Sequence, residues 1–137
     1  MKGSYILVIL ISEKIDLIVG ALGKISFEKG TYVYIGSGMG SNGSTALEGR
    51  VNRHIRPSTQ KKIHWHIDYL LNHEKSSLNR LFLIPSLKRL ECIIAREIVE
   101  FSDSFIRDFG SSDCHCKSHL FYFKEFEDFK FKSKLQN

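Results

Sequence analysis

The sequence predicts an α/β (α+β) domain in which helices flank a small central antiparallel or mixed sheet. Short runs rich in isoleucine, valine and tyrosine, typical of buried strands, occur near both ends of the chain. Between them lie stretches in which apolar residues recur every three or four positions, as they do on one face of a helix. With 137 residues and 42% hydrophobic residues, the chain can form one hydrophobic core. We therefore expect one domain over residues 1–125, followed by a charged tail over residues 126–137.

The N-terminal quarter predicts a small meander of strands. Residues 4–11 and 15–19 are β-branched, apolar runs separated by a charged turn. Residues 24–27 are a shorter candidate strand, and residues 31–35 combine β-branched and aromatic side chains. Gly20, Gly23 and Gly30 mark the turns between them.

A glycine-rich loop and a helix are predicted next. Residues 36–44 contain four glycines and three serines, a composition typical of a turn between a strand and a helix. From residue 45 the apolar positions recur every four residues until Pro57 ends the pattern. This spacing places Arg50 and His54 one turn apart on a shared helix face. The apolar positions of the pattern are Leu47, Val51 and Ile55.

The second half of the chain predicts two more helices and two strands. Residues 63–71 have the spacing of a short helix, and residues 81–84 form an apolar strand that ends at Pro85. Ser86 is a candidate N-cap for a helix that runs to Glu100. A polar loop over residues 110–119 leads to a final apolar strand over residues 120–123.

Composition excludes several classes of protein. The longest early apolar run is too short to cross a bilayer and no segment resembles a signal peptide, so we expect no membrane association and a cytoplasmic location. Three cysteines are an odd count, which argues against a secreted disulfide framework. No P-loop or dinucleotide fingerprint is present. The tail alternates phenylalanine with charge, and we expect it to pack on the sheet or on a second copy of the chain in a homodimer.

The charge of the chain favours a polyanionic partner. The net charge is +5 and the isoelectric point is near 9.2, and basic proteins gain affinity for nucleic acid by releasing its counterions. The alternative is that the basic residues form an ordinary solvated face. Those that gather in one central stretch are Arg50, Arg53, His54, Arg56, Lys61, Lys62, His64 and His66.

Three short motifs occur in a characteristic order. Gly3-Ser-Tyr5 opens the first strand, and Tyr34-Ile-Gly36 closes another. The following helix carries the pattern Leu-x-x-Arg-hydrophobic-x-x-His, in which the arginine is Arg50 and the histidine is His54. In this order the motifs resemble those of the GIY-YIG nuclease superfamily.

A closer resemblance covers nearly the whole chain. A little-characterised branch of the superfamily has Tyr-Ile-Gly-Ser, His-Trp-His-Ile-Asp-Tyr-Leu-Leu and Glu-Cys-x-x-Ala segments, followed by Gly-Ser-Ser-Asp-Cys-x-Cys-x-Ser-His-Leu-Phe. This chain has them at residues 34–37, 64–71, 91–95 and 110–121. The resemblance implies a metal-dependent endonuclease that hydrolyses phosphodiester bonds in DNA. It also implies a preference for particular DNA structures and a role in DNA repair.

The resemblance also implies roles for individual residues. Glu91 would ligate Mg2+ or Mn2+, with Glu97 as the alternative ligand. Arg50 would contact the transferring phosphate with two donors. Tyr5 or Tyr34 would orient or deprotonate the attacking water. The implied catalytic set is Tyr5, Tyr34, Arg50, His54 and Glu91, where His54 would shuttle protons or hold a phosphate oxygen, and the implied substrate contacts are Ser37, Arg53, Arg56, Lys61, Lys62, His64 and His66.

The chain departs from the family pattern at several positions. Ser37 stands where a basic residue is common, and the long stretch from Tyr5 to Tyr34 implies an inserted hairpin. The family's late asparagine has no equivalent between Arg107 and Phe123. A catalytically degenerate nucleic-acid-binding module is therefore the alternative function. In that case the tyrosines would be ordinary strand aromatics, and Glu91 would serve only in an ion pair with a lysine.

A cysteine and histidine segment has the residue types of a zinc site. Cys114, Cys116 and His119, with His64 or His66, offer thiolate and imidazole ligands. The spacing Cys-x-Cys-x-x-His differs from that of standard zinc fingers. The other interpretation is a tight turn in which Asp113 and the thiols satisfy backbone groups.

Overall fold

The structure is a computed structural model that describes residues 1–41, 43, 46–56, 63–111, 116–127 and 130–131. A five-stranded sheet with the order β5-β1-β4-β7-β6 lies at its centre. In chain order the elements are β1 (Gly3–Ile11), β2 (Ile15–Ile18), a 3-10 helix (Gly20–Leu22), β3 (Lys24–Phe27), β4 (Gly30–Gly38), α1 (Leu47–Ile55), α2 (His66–Leu71), β5 (Ser76–Pro85), α3 (Glu91–Phe101), β6 (Ser104–Phe105) and β7 (Leu120–Phe123).

The sheet is antiparallel at every pairing of its described strands. The predicted fold class is therefore confirmed. The predicted meander is wrong, because β1 pairs along its whole length with β4, from Gly3 opposite Gly38 to Ile11 opposite Gly30. β2 and β3 form a separate two-stranded sheet between them in the chain. The inserted hairpin expected between Tyr5 and Tyr34 is therefore confirmed.

Strand β4 is longer than the sequence predicts. It continues through Ser37 to Gly38, because both residues pair with β1. Glycine at position 38 is required by packing rather than by a turn, since a Cβ atom there would lie 2.6 Å from the backbone nitrogen of Leu47. Helix α1 can therefore begin close to the end of β4.

Two helices begin later than predicted. α3 begins at Glu91, because Ser86 does not cap it: the Ser86 hydroxyl accepts a hydrogen bond from the Lys88 N–H in a local turn. α2 begins at His66, with Trp65 as its N-cap residue. Strand β5 instead begins earlier than predicted, at Ser76, because its first half also pairs with β1. The short strand β6 was not predicted.

Both faces of the sheet are covered. One face packs against α1, α2 and the β2-β3 hairpin, and the other packs against α3 and a cluster of phenylalanines. Phe131 from the tail is buried in this second cluster, where its ring lies 5.2 Å from Phe126 and 6.1 Å from Phe123. None of the helices in the described ranges has the length and apolar character needed to cross a bilayer.

Candidate active-site cleft

Two tyrosines from neighbouring strands form the floor of a cleft. The register of β1 and β4 pairs Tyr5 with Gly36 and Leu7 with Tyr34. The tyrosines are therefore diagonal neighbours on one face of the sheet, and their ring centroids lie 6.4 Å apart. Both side chains belong to the hydrophobic core and also line the cleft. They are core aromatics that present their edges to a polar space.

Gly36 makes room for the Tyr5 ring. A Cβ atom at position 36 would overlap the ring and the hydroxyl of Tyr5. The glycine of the Tyr-x-Gly motif is therefore needed for the close approach of a side chain across the strand pair.

Gly36→Ala is expected to destabilise the protein by about 1–3 kcal/mol, since overpacking forces neighbouring side chains from their preferred rotamers. Urea denaturation measures this change in the free energy of unfolding. The same substitution in a Tyr5→Ala background should cost clearly less, because the overlapping ring is gone. Equal costs in the two backgrounds would show that Tyr5 is not the group that requires glycine.

Helix α1 directs Arg50 and His54 towards these tyrosines. His54 is buried, and its Nε2 atom forms a 2.7 Å hydrogen bond with the Tyr5 hydroxyl. The His54 ring also lies 5.2 Å from the Tyr5 ring and 6.3 Å from the Tyr34 ring. Arg50, one turn earlier, lines the cleft. The predicted shared face of the helix is confirmed.

Trp65 supports two arginines. The guanidinium carbons of Arg50 and Arg53 each lie 4.8 Å from the centre of the Trp65 ring, a distance at which a cation is attracted to an aromatic face. Arg53 also donates a 2.7 Å hydrogen bond to the buried carboxylate of Asp68. Arg53 is therefore held in an ion pair, whereas the guanidinium of Arg50 is held beside the cleft.

Glu91 reaches the cleft from the first residue of α3. Its side chain is 13% exposed, its Oε1 atom lies 3.9 Å from Arg89 Nη1, and its Oε2 atom lies 3.7 Å from His119 Nδ1. Arg89 also donates a 3.2 Å hydrogen bond to the Ser37 hydroxyl. Glu91 thus has an arginine and a histidine beside it. Of its candidate lysine partners from the sequence, Lys88 and Lys62, the second lies outside the described residues.

The cleft has a volume of about 320 Å³. Among the described residues, two arginines and one carboxylate line it, and this excess of positive charge suits a bound anion. His66 accepts a hydrogen bond from the Gly110 N–H through Nδ1, and burial lowers the pKa of His66, so this imidazole is neutral near pH 7. The lining residues are Tyr5, Tyr34, Gly36, Ser37, Met39, Arg50, His64, Trp65, His66, Arg89, Glu91 and Gly110.

Burial controls the protonation of the two tyrosines. It raises the pKa of Tyr5 well above the usual value, and the field of Arg50, which acts in the opposite direction, does not offset it. Burial likewise raises the pKa of Tyr34, with further contributions from Tyr5 and Glu91. Both phenols therefore keep their protons near neutral pH. They can donate hydrogen bonds, but neither is a phenolate base in the protein alone.

Some residues expected at the site lie elsewhere. Glu97 is exposed farther along α3, Arg56 is exposed at the end of α1, and Arg53 pairs with Asp68, so none of the three lines the cleft. Lys61, Lys62 and Cys114 lie outside the described residues. Sequence reasoning missed Arg89 and the platform role of Trp65. No signal in the sequence identified Arg89, because the predicted helix begins after Ser86 and includes this residue, whereas α3 begins at Glu91.

Comparison with known proteins identifies a family whose function is unknown. A family model described as a domain of unknown function, DUF123, matches residues 4–136 of the chain. Neither the curated proteins nor the solved structures give a significant match.

Proposed function

The chain belongs to the DUF123 family, a domain of unknown function, and we propose its function from the cleft. We propose that the protein is a metal-dependent endonuclease that hydrolyses phosphodiester bonds in DNA. The observation that carries the proposal is the convergence of Tyr5, Tyr34, Arg50 and Glu91 in one cleft. Metal-dependent hydrolysis of a phosphodiester uses positioned donors, a proton acceptor and a ligand for the metal ion, such as a carboxylate. The resemblance of the motifs to those of GIY-YIG nucleases supports the same reaction.

Arg50 and Arg89 are the proposed phosphate-binding residues. A guanidinium offers parallel donors in a planar fork that matches two oxygens of a phosphate. Stacking on Trp65 restricts the motion of Arg50, so its donors are pre-oriented. Arg89 donates a hydrogen bond to Ser37, which stands at a position where GIY-YIG nucleases commonly have a basic residue. We propose that Arg89 supplies the positive charge which Ser37 lacks.

The Tyr5 and His54 pair is the proposed proton acceptor. When His54 Nε2 carries no proton, the Tyr5 hydroxyl is the donor of the 2.7 Å hydrogen bond between them. The attacking water can therefore give a proton to Tyr5 while Tyr5 passes its own to His54. The water oxygen then forms its bond to phosphorus as the bond to the leaving oxygen breaks. This relay needs no free phenolate, which agrees with the raised pKa of Tyr5.

Glu91 suits a hard divalent cation. Mg2+ is commonly held by one or two carboxylates, with water and substrate phosphate oxygens as its other ligands. Glu91 offers one carboxylate, part-exposed at the edge of the cleft. When bound, Mg2+ or Mn2+ would supply positive charge that stabilises the phosphate and the leaving oxygen.

The second candidate function is a nucleic-acid-binding module without catalysis. The neighbours of Glu91 favour this function, because Arg89 lies 3.9 Å from one carboxylate oxygen and His119 lies 3.7 Å from the other. Such pairing competes with a metal ion for the same oxygens. The basic cleft would still hold a phosphate backbone, and the affinity would fall steeply with salt.

Cleavage of labelled single-stranded, duplex and branched DNA by purified protein tests both functions. We expect products with Mg2+ or Mn2+ and none with EDTA. Glu91→Gln should raise the metal concentration needed for half-maximal cleavage by at least about 100-fold, because loss of a direct ligand costs more than the 10–100-fold typical of residues that only support a ligand. Glu97→Gln, an exposed change on the same helix, is the matched control and should cut as wild type does.

Three outcomes would count against this proposal. Cleavage that persists in EDTA would show that the reaction needs no metal ion. Equal loss of cleavage in Glu91→Gln and Glu97→Gln would remove Glu91 from the site. A salt-sensitive gel shift without products would favour the binding module.

A further inference from the structure

A second cluster of ligand side chains lies outside the cleft lining. The ligand atoms of Cys92, Cys116 and His119 all lie within 4.8 Å of one another. We propose that these three residues bind a zinc ion. Two thiolates and one imidazole are donors that Zn2+ prefers, and this combination also occurs at catalytic zinc centres with three protein ligands.

The distances suit a tetrahedral ion. Zinc–sulfur bonds of about 2.3 Å and zinc–nitrogen bonds of about 2.0–2.1 Å place neighbouring ligand atoms roughly 3.5–3.8 Å apart. The three ligand atoms already lie within 4.8 Å of one another, so binding requires them to draw together by only about 1 Å.

Two separate parts of the fold supply the ligands. Cys92 is the second residue of α3, and Cys116 and His119 lie in the segment before β7. The main chain of His119 is fixed on both sides, because its N–H donates to the Phe109 carbonyl at 2.8 Å and its carbonyl accepts from the Ile35 N–H at 3.0 Å. A backbone held in this way presents the imidazole in a defined position.

A carboxylate lies beside the histidine ligand. A histidine that binds zinc commonly directs its other ring nitrogen at a carboxylate. Glu91 Oε2 lies 3.7 Å from His119 Nδ1, so a small movement would bring it to hydrogen-bond distance.

The site would fix the position of Glu91. A zinc ion on Cys92 joins the first turn of α3 to the segment before β7, and Glu91 is the adjacent residue in that turn. The bond therefore holds the N-terminus of the helix against the sheet next to the cleft. This role is distinct from a bound Mg2+, whose ligand would be Glu91 itself.

Metal analysis of the full chain tests the proposal without any DNA. Protein purified without added metal should contain about one zinc per chain, as a single site requires. Cys92→Ser and His119→Asn should each lose most of it. His64→Asn removes a histidine that lines the cleft instead, and should retain zinc.

A spectroscopic measurement keeps the test decisive where a variant does not fold. Wild-type protein stripped of zinc and loaded with Co2+ should show thiolate charge-transfer bands and the intense visible bands of a tetrahedral ion. Zinc-free protein as purified, together with a cobalt spectrum typical of six oxygen ligands, would overturn the proposal. A disulfide between Cys92 and Cys116 in freshly purified protein, found by peptide mass spectrometry, would overturn it as well.

The zinc site and the nuclease can fail separately. Glu91→Gln should still contain zinc while it loses metal-dependent cleavage, because Glu91 lies beside a zinc ligand and is not itself one. Its zinc affinity should fall by no more than about 10–100-fold. Zinc present in a protein that cuts no DNA would reject the proposed function alone. Cleavage by a protein without zinc or cobalt binding would reject the zinc site alone.

Discussion

Arg50→Ala is expected to lower the rate of DNA cleavage by about 10²–10³-fold, the usual loss when one pre-oriented donor to a developing charge is removed. Arg50 is held over Trp65 beside the tyrosines, so its donors meet the phosphate without prior rearrangement. Because this stabilisation grows as the reaction proceeds, turnover should fall more than substrate affinity does. Single-turnover cleavage at saturating protein measures the chemical step directly.

Two variants separate this role from a general effect of charge. Arg50→Lys keeps the charge but loses the planar fork and the stacking on Trp65, so it should recover only a small part of the rate. Arg56→Ala removes an exposed charge at the end of the same helix and should leave the rate near wild type. If Arg56→Ala slowed cleavage as much as Arg50→Ala, both residues would act only through the general field of the protein.

Asp68→Ala is expected to lower the free energy of unfolding by about 3–5 kcal/mol, as for other broken buried ion pairs. The Asp68 side chain is fully buried and accepts hydrogen bonds from the Arg53 side chain and from the backbone N–H groups of His64 and Trp65, at 2.7 to 2.9 Å. Its removal leaves Arg53 without this partner and removes the acceptor at the start of α2. Urea denaturation followed by circular dichroism measures the loss.

Asp103→Ala is the matched control for this experiment. The Asp103 carboxylate accepts one exposed hydrogen bond, from the Lys124 N–H, so its loss should cost about 1 kcal/mol or less. Similar losses in the two variants would contradict the structural importance assigned to Asp68. The two variants should also differ in tryptophan fluorescence. Only Asp68→Ala should change the emission of Trp65, whose backbone N–H donates to Asp68.

The pH dependence of stability gives a second measurement on Asp68. Burial raises the pKa of its carboxyl, but the hydrogen bonds from Trp65, Arg53 and His64 outweigh burial and hold that pKa below its ordinary value. The group therefore contributes stability above its unfolded pKa, and this contribution is lost as the pH falls through the folded pKa. Asp68→Asn should unfold at lower urea than wild type at pH 7. The difference between the two proteins should shrink in acid.

Local patterns in the sequence determined most of the secondary structure. Continuous apolar, β-branched and aromatic runs predict β1 and β4, and the four-residue spacing that ends before Pro57 predicts α1. Both patterns depend only on neighbouring residues. The order of the motifs also singled out Tyr5 and Arg50, which the structure brings into one cleft. These features need no knowledge of which elements pack together.

Only the tertiary structure decided which distant residues meet. Tyr5 and His54 are 49 positions apart, and the stacking of Arg50 on Trp65 depends on how α1 packs beside α2. The choice of Glu91 over Glu97 depended on where α3 begins, a boundary that propensity locates poorly. Cys92 joins Cys116 and His119 only because α3 and the segment before β7 meet at the same end of the sheet. Local periodicity specifies the face of each element, whereas the burial of those faces against one another determines which faces share a site.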